Sequence, residues 1–147
     1  MSARHFLLAF LLFLSPLAQA QEAALEPLEI TTGSGTHRFS IEVMRTDEQR
    51  ARGLMYRRYM APDRGMLFDF KREAPVAMWM KNTYLSLDMV FIDKAGHVVN
   101  VAENTEPLSE RIIPSAGPVV AVLELNAGTA QRIGLKNGDQ LRHSLFK

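Results

Sequence analysis

Apolar and polar residues alternate along Phe39-Ser40-Ile41-Glu42-Val43, which predicts a strand with one wet face. Leu28 to Thr32 and His37 to Met44 read as two strands joined by Gly33-Ser34-Gly35. Thr46-x-x-Gln49 is a capping box, so a short helix is expected through Gln49-Arg50-Ala51-Arg52, ending near Gly53. Tyr56 to Arg64 reads as a helical turn and loop around Pro62, and Gly65 to Phe70 as a further strand. His97 to Ala102 and the apolar run Val119 to Leu125 complete the middle of the pattern. Ala127 to Ile133 predicts a second short helix closed by Gly134, and Gln140 to Phe146 a last strand after the Asn137-Gly138 turn. Glu103 to Pro118 has three prolines and no periodicity, the mark of a long loop of the functional kind. Many short strands with two short helices predict an α+β fold. It would be a compact, β-rich, mostly antiparallel sheet or small barrel.

The segment Pro75 to Asp93 carries the only Trp and reads as a hairpin with Lys81-Asn82-Thr83-Tyr84 as its loop. That register places Met80 opposite Leu85, Met78 opposite Leu87 and Val76 opposite Met89, an apolar face throughout. The other face pairs Trp79 with Ser86 and Ala77 with Asp88. The next turn, Asp93 to Gly96, suits a type I turn followed by a left-handed Gly. Pairing Asp93 with His97 then sets Phe91 opposite Val99, Met89 opposite Val101, Val90 opposite Asn100 and Asp88 opposite Ala102. Asp88 would sit between two alanines with Trp79 diagonal to it, a hollow able to floor a ligand site.

The first residues change the compartment. Arg4 and His5 precede the apolar run Phe6 to Leu14, and Ala18-Gln19-Ala20 is an A-x-A cleavage site. This is the pattern of a secretory signal peptide, shorter than a membrane span, with cleavage after Ala20; the alternative is an uncleaved anchor. The expected layout is signal peptide 1–20, loose leader 21–27 and one globular domain 28–147, periplasmic or secreted, with no stable membrane span after cleavage. The chain has no Cys, which excludes a lipoprotein, disulfides, thiol catalysis, iron–sulfur clusters and thiolate metal sites. Arg4 leaves with the leader, so the 17 basic residues come into balance with the 16 acidic ones. Balanced charge argues against nucleic acid as a partner.

Two carboxylates interrupt apolar strands: Asp88, and Glu124 in Val120-Ala121-Val122-Leu123-Glu124-Leu125. A buried charge needs a partner or a purpose. Asp88 is a candidate catalytic or binding acid, the alternative being a structural acid that accepts backbone hydrogen bonds. Lys81, Asn82 and Thr83 suit an anion or sugar, or simply turn chemistry. Trp79 suits stacking on a ring or packing on a sheet. Arg50, Arg52, Arg57 and Arg58 suit bidentate capture of a phosphate or carboxylate, or a solvated helix face; Arg52 is the one singled out as a site residue. Seven methionines beyond Met1 raise copper(I) binding through thioethers, although Met78, Met80 and Met89 fall on the expected core face. His37, His97 and His143 are dispersed, without zinc spacing. No nucleophile elbow, phosphate loop or nucleotide fingerprint is present, and no metal site or cofactor is expected.

Arg52-Gly53-Leu54-Met55, Gly65-Met66-Leu67-Phe68, Met78-Trp79-Met80-Lys81-Asn82-Thr83 and Leu87-Asp88-Met89-Val90-Phe91 together carry a resemblance. So do Gly96, Pro107, Val122-Leu123-Glu124-Leu125, Ala127-Gly128, Gly134 and Gly138-Asp139. From about Leu28 to Leu141 the chain resembles the family catalogued as domain of unknown function number 192. That resemblance implies a compact β-rich domain, often behind a signal peptide, and no reaction. Three functional readings follow. The first is a non-catalytic module that binds a small molecule or an envelope component, its site formed by Trp79, Lys81, Asn82 and Asp88 and bordered by Arg52 and Glu124. The second is an envelope hydrolase or lyase using Asp88 and Glu124, which requires the two carboxyls within about 10 Å of each other in one cleft. The third is methionine-based copper handling.

Overall fold

The strands form where the alternation and the apolar runs place them, and they join into one strongly curved sheet. The computed structural model describes residues 24–146. The expected signal peptide and cleavage point lie outside the described residues, as do residues 21–23 of the expected leader. In chain order the elements are β1 (Glu26–Thr32), β2 (Gly35–Met44), α1 (Asp47–Arg52), β3 (Arg64–Ala74), β4 (Ala77–Met78) and β5 (Leu87–Ile92). They continue with β6 (Val98–Ala102), β7 (Ile113–Pro114), β8 (Val119–Asn126), α2 (Thr129–Ile133) and β9 (Gln140–Arg142). Seven strands run in the order β6-β5-β8-β3-β2-β1-β9, and β4 and β7 make a separate two-stranded ribbon. Among the described residues only β2 and β3 pair in parallel, the crossover between them being α1 and its loop. The sheet curls until its edges meet: His97 bridges Gln140, and Val98 N–H donates to the Asp139 carbonyl at 2.9 Å. The α+β, β-rich and mostly antiparallel expectation is therefore what the chain adopts. No helix among the described residues is long and apolar enough to cross a membrane.

Both faces of the central strands are covered. Inside the curl, Ile30, Ile41, Leu67, Val90, Ile92, Leu123 and Leu125 pack together, with Ala130 and Ile133 of α2 set against them. On the outer face Met66, Phe68, Leu87, Met89, Phe91 and Val122 are roofed by Leu54, Met60 and Met80 from the connecting segments. All six residues of β5 are buried, so its sequence reads as a continuous apolar run broken only by Asp88.

The hairpin expected over 75–93 does not form. β4 pairs with β7, through Ala77 with Pro114 and Met78 with Ile113, and β5 lies between β6 and β8. The register with Leu85, Leu87 and Met89 therefore falls away. The chain instead loops over the outer face, where Met80 N–H donates to the Ser109 carbonyl. A buried strand that needs cover on both faces wins over a local hairpin that leaves one face wet. The turn at 93–96 does form: Gly96 N–H donates to Asp93, Asp93 N–H to His97, and Gly96 has φ 85°. Ile92 then pairs with Val98, but a bulge follows and Phe91 meets Asn100, Val90 meets Val101 and Met89 meets Ala102. One extra residue shifts every later partner by one, which removes the predicted Asp88–Ala102 pair.

Other boundaries moved less. The capping box at Thr46 is present in full, and Gly53 ends α1. Glu26 and Pro27 belong to β1 rather than to a loose leader, since Glu26 pairs with Ile41 and takes two hydrogen bonds from Arg45 at 2.7 and 3.0 Å. Tyr56 to Arg64 contains no helix, and the last strand stops at Arg142.

Candidate functional site

The end of α1 and the turn after it lie against β3, β8 and the 77–83 segment, and a cavity of about 280 Å³ opens between them. Gly53 makes the close approach possible. Its φ of 47° suits glycine, and a Cβ there would lie 3.0 Å from Cζ of Phe68. The ring of Phe68 and the side chains of Leu54, Phe70 and Met78 form the apolar wall.

Glu124 is the acidic residue of this cavity. It sits on β8 between Met89 of β5 and Met66 of β3, both fully buried, and is itself only 4 % exposed. Among the described residues its carboxyl has no hydrogen-bond or ionic partner. Burial pushes its pKa up to about 8, with no charge nearby to offset the loss of water. At neutral pH it is a protonated acid, able to give one hydrogen bond and accept another.

The cations of the cavity are differently placed. Arg50 is spent on the protein: its guanidinium donates to the carbonyls of Asp69 and Arg45, pairs with Asp47 and lies over the Phe70 ring. Arg52 is exposed and makes no side-chain hydrogen bond or ion pair among the described residues. Lys81 lies 5.1 Å from the Trp79 ring centroid and 3.3 Å from Glu110. Trp79 is 45 % exposed, so its ring stands at the outer part of the cavity.

Four of the six residues expected at a site from the sequence, Arg52, Trp79, Lys81 and Glu124, thus line one cavity. Asn82 does not line it. It holds a left-handed turn (φ 54°), its carbonyl accepts from Tyr56 N–H, and its amide contacts Met55 Sδ at 3.8 Å. Asp88 is on the other side of the sheet, fully buried. One oxygen accepts from Asn104 N–H at 2.9 Å and the other from Ala130 N–H at 2.8 Å. Gly128, the N-cap of α2, offers no side chain to that helix, and Asp88 supplies the missing acceptor from β5. The expected hollow between Ala77 and Ala102 does not exist, because β4 has left the sheet.

Asp88 and Glu124 therefore do not share a cleft. Cross-strand partners point to one side, and Asp88 pairs with Leu125 while Glu124 pairs with Met89. Leu125 faces the inner core and Met89 the outer one, so Asp88 and Glu124 do not form the acid–base pair of the second reading. Of the methionines, Met44, Met60, Met66, Met80 and Met89 are buried in the outer core, while Met55 and Met78 line the cavity. Among the described residues, no three of His, Asp or Glu are grouped to hold a metal ion.

Sequence reasoning missed Leu54, Phe68 and Phe70 as cavity residues, whereas Thr83, read there as an anion or sugar contact, does line it. The available signal was Gly53: a glycine closing a capped helix and followed by Leu-Met marks a tight contact with whatever lies beneath.

A model of the family DUF192, described as "Uncharacterized ACR", matches residues 29–143. A solved structure from Sinorhizobium meliloti 1021, provisionally named a transcription regulator, is 52% identical. It covers 84% of this chain and 97% of its own, with a TM-score of 0.81. A protein of unknown function from Novosphingobium aromaticivorans DSM 12444 is 37% identical over 85% of this chain and 89% of its own, again with a TM-score of 0.81. No curated protein matches.

Proposed function

The chain belongs to the DUF192 family, and from that premise we propose that it is a small-ligand-binding module working outside the cytoplasm, with its site in the cavity floored by Glu124. The unpartnered carboxyl of Glu124 carries the reading. Its oxygens open on the cavity, so a ligand replaces water there, and each hydrogen bond it makes to the carboxyl contributes about 0.5–1.5 kcal/mol. Apolar walls with a few convergent polar groups are what small-molecule sites are made of. The export part of the proposal rests on the leader pattern that ends at Ala20.

The name of the Sinorhizobium meliloti protein suggests a role in regulating transcription. This chain's balanced charge does not favour that role, nor does the pairing of Arg38 with Glu29, Arg45 with Glu26 and Arg57 with Glu42.

Trp79 is the only tryptophan and stands in the cavity, so its fluorescence reports occupancy directly. A library of one-ring compounds titrated against the protein is expected to contain members that shift Trp79 emission saturably. Glu124→Leu is expected to abolish that shift in a folded protein. Compounds that bind without moving the Trp79 signal and are indifferent to Glu124 would place the site elsewhere and end the proposal.

A further inference from the structure

The chemistry of the cavity is specific enough to name a ligand class, given the binding reading on which this rests. The geometry points to a planar molecule that offers a hydrogen-bond donor and acceptor side by side, as a carboxamide or lactam edge does, and carries an anionic group at its opposite end.

The inner end sets the first requirement. Glu124 lacks both an acceptor for its proton and a donor to its carbonyl oxygen, and both lie in the plane of one small group. Met66 and Met89, its neighbours on β3 and β5, supply neither. The complement of a protonated carboxyl is another planar group with the same pair of functions reversed. The walls set the second requirement. Phe68, Phe70 and Met78 contribute two aromatic side chains and a thioether, apolar surface that favours a flat body. A volume of about 280 Å³ admits roughly one ring with its substituents.

The outer end sets the third. The charged groups facing the cavity are Arg50 and Arg52 from α1, Lys81 from the segment after β4, and Glu124 from β8. Arg50 is already paired, whereas Arg52 has no partner among the described residues and Lys81 is held by an exposed Glu110 and the half-exposed Trp79 ring. An anionic tail would meet Arg52 and Lys81 together. A cationic ligand would pass both and would favour ionised Glu124, which burial disfavours.

The test uses three probes against the protein, read by Trp79 fluorescence and calorimetry: 4-carbamoylbenzoate, benzamide and 4-(aminomethyl)benzoate. At pH 6.5 the carbamoyl acid is expected to bind tightest, with benzamide and the amine each weaker by roughly tenfold or more. Binding of 4-carbamoylbenzoate is expected to weaken as the pH rises through 8, where the Glu124 proton is lost. Glu124→Gln keeps a planar donor and acceptor, so it should retain binding within a few-fold and lose the pH dependence. It carries the test even if Glu124→Leu does not fold. Arg52→Ala should weaken the carbamoyl acid and leave benzamide unchanged. Tighter binding of the amine, with loss in Glu124→Gln, would overturn the ligand class while leaving the cavity as the site. Failure of all three probes, together with an unmoved Trp79 across the wider library, would overturn the binding reading as well.

Discussion

Asp88 and Glu124 lie one register step apart on adjacent strands, and their side chains leave the sheet on opposite sides. Each is buried, at 0 % and 4 % exposure, in a strand of otherwise apolar residues. Asp88 has both oxygens bonded to backbone N–H groups, and Glu124 has neither oxygen bonded within the described chain. The same residue chemistry thus serves two ends. The inner carboxylate ties α2 and the loop after β6 to β5, and the outer carboxyl is left for something the chain does not contain.

Asp88→Asn is therefore expected to lower stability. The amide keeps one acceptor but turns its NH₂ toward a backbone donor, leaving Asn104 or Ala130 unsatisfied, and the charge that complements the α2 N-terminus is lost. The expected cost is about 1–3 kcal/mol, seen in a thermal melt as a drop of several degrees. Cavity probes should bind the folded variant as before. An unchanged or raised melting temperature would contradict the structural role assigned to Asp88.

Glu124 makes stability depend on pH with an unusual sign. Its folded pKa is about 8 against an ordinary value of 4.5. Between those limits the folded state holds a proton that the unfolded state has released. Unfolding therefore becomes easier as pH rises, by up to about 1.4 kcal/mol per unit, and levels off above 8. Glu124→Gln removes this slope. The variant should gain on the wild type from pH 5 to pH 8 in denaturant titrations, and a pH-independent difference would refute the assignment.

Elements with local causes were legible in the sequence. The alternation of Phe39 to Val43, the Thr46–Gln49 box and the Asp93–Gly96 turn are each specified by residues a few positions apart, and each forms. The pairing of β4 was not legible, because its partner Pro114 lies across the long loop and a two-residue ribbon leaves no period to read. The bulge opposite Phe91 was invisible for a related reason: Val98-Val99 offers two equivalent residues, and burial decides between them. The site was half legible. Odd residues in apolar strands drew attention to Asp88 and Glu124 alike. Only the side of the sheet on which each emerges separates a cap from a candidate ligand contact, and that depends on partners contributed by β6, β8 and α2.

The capping box on α1 fixes the segment that delivers Arg52. Thr46 Oγ accepts from Gln49 N–H at 3.2 Å, and Gln49 Oε1 accepts from the N–H of Thr46 at 3.0 Å and of Arg45 at 2.8 Å. Thr46→Ala is expected to cost about 1 kcal/mol. Because α1 has only six residues, the loss should also appear locally, as faster amide hydrogen exchange over residues 47–52 than in β3 or β8. Uniform acceleration across the sheet instead would mean that the box supports global rather than local stability.

Gly53→Ala tests whether the cavity wall is as tight as the structure makes it. Two penalties combine at this position. The backbone angles, φ 47° and ψ −134°, lie where a Cβ is poorly accommodated, at a cost of about 1–3 kcal/mol. The new methyl would also lie 3.0 and 3.2 Å from the buried Phe68 ring, closer than an ordinary van der Waals contact, so the ring or the turn must shift. The expected result is a lower melting temperature, together with a changed Trp79 emission as Phe68 and the 53–55 turn move apart. Gly33→Ala is the matched control, since a Cβ there meets nothing within 4 Å. It should shift stability by no more than about 0.5 kcal/mol. Equal effects of the two substitutions would show that the contact between Gly53 and Phe68 does not shape the cavity.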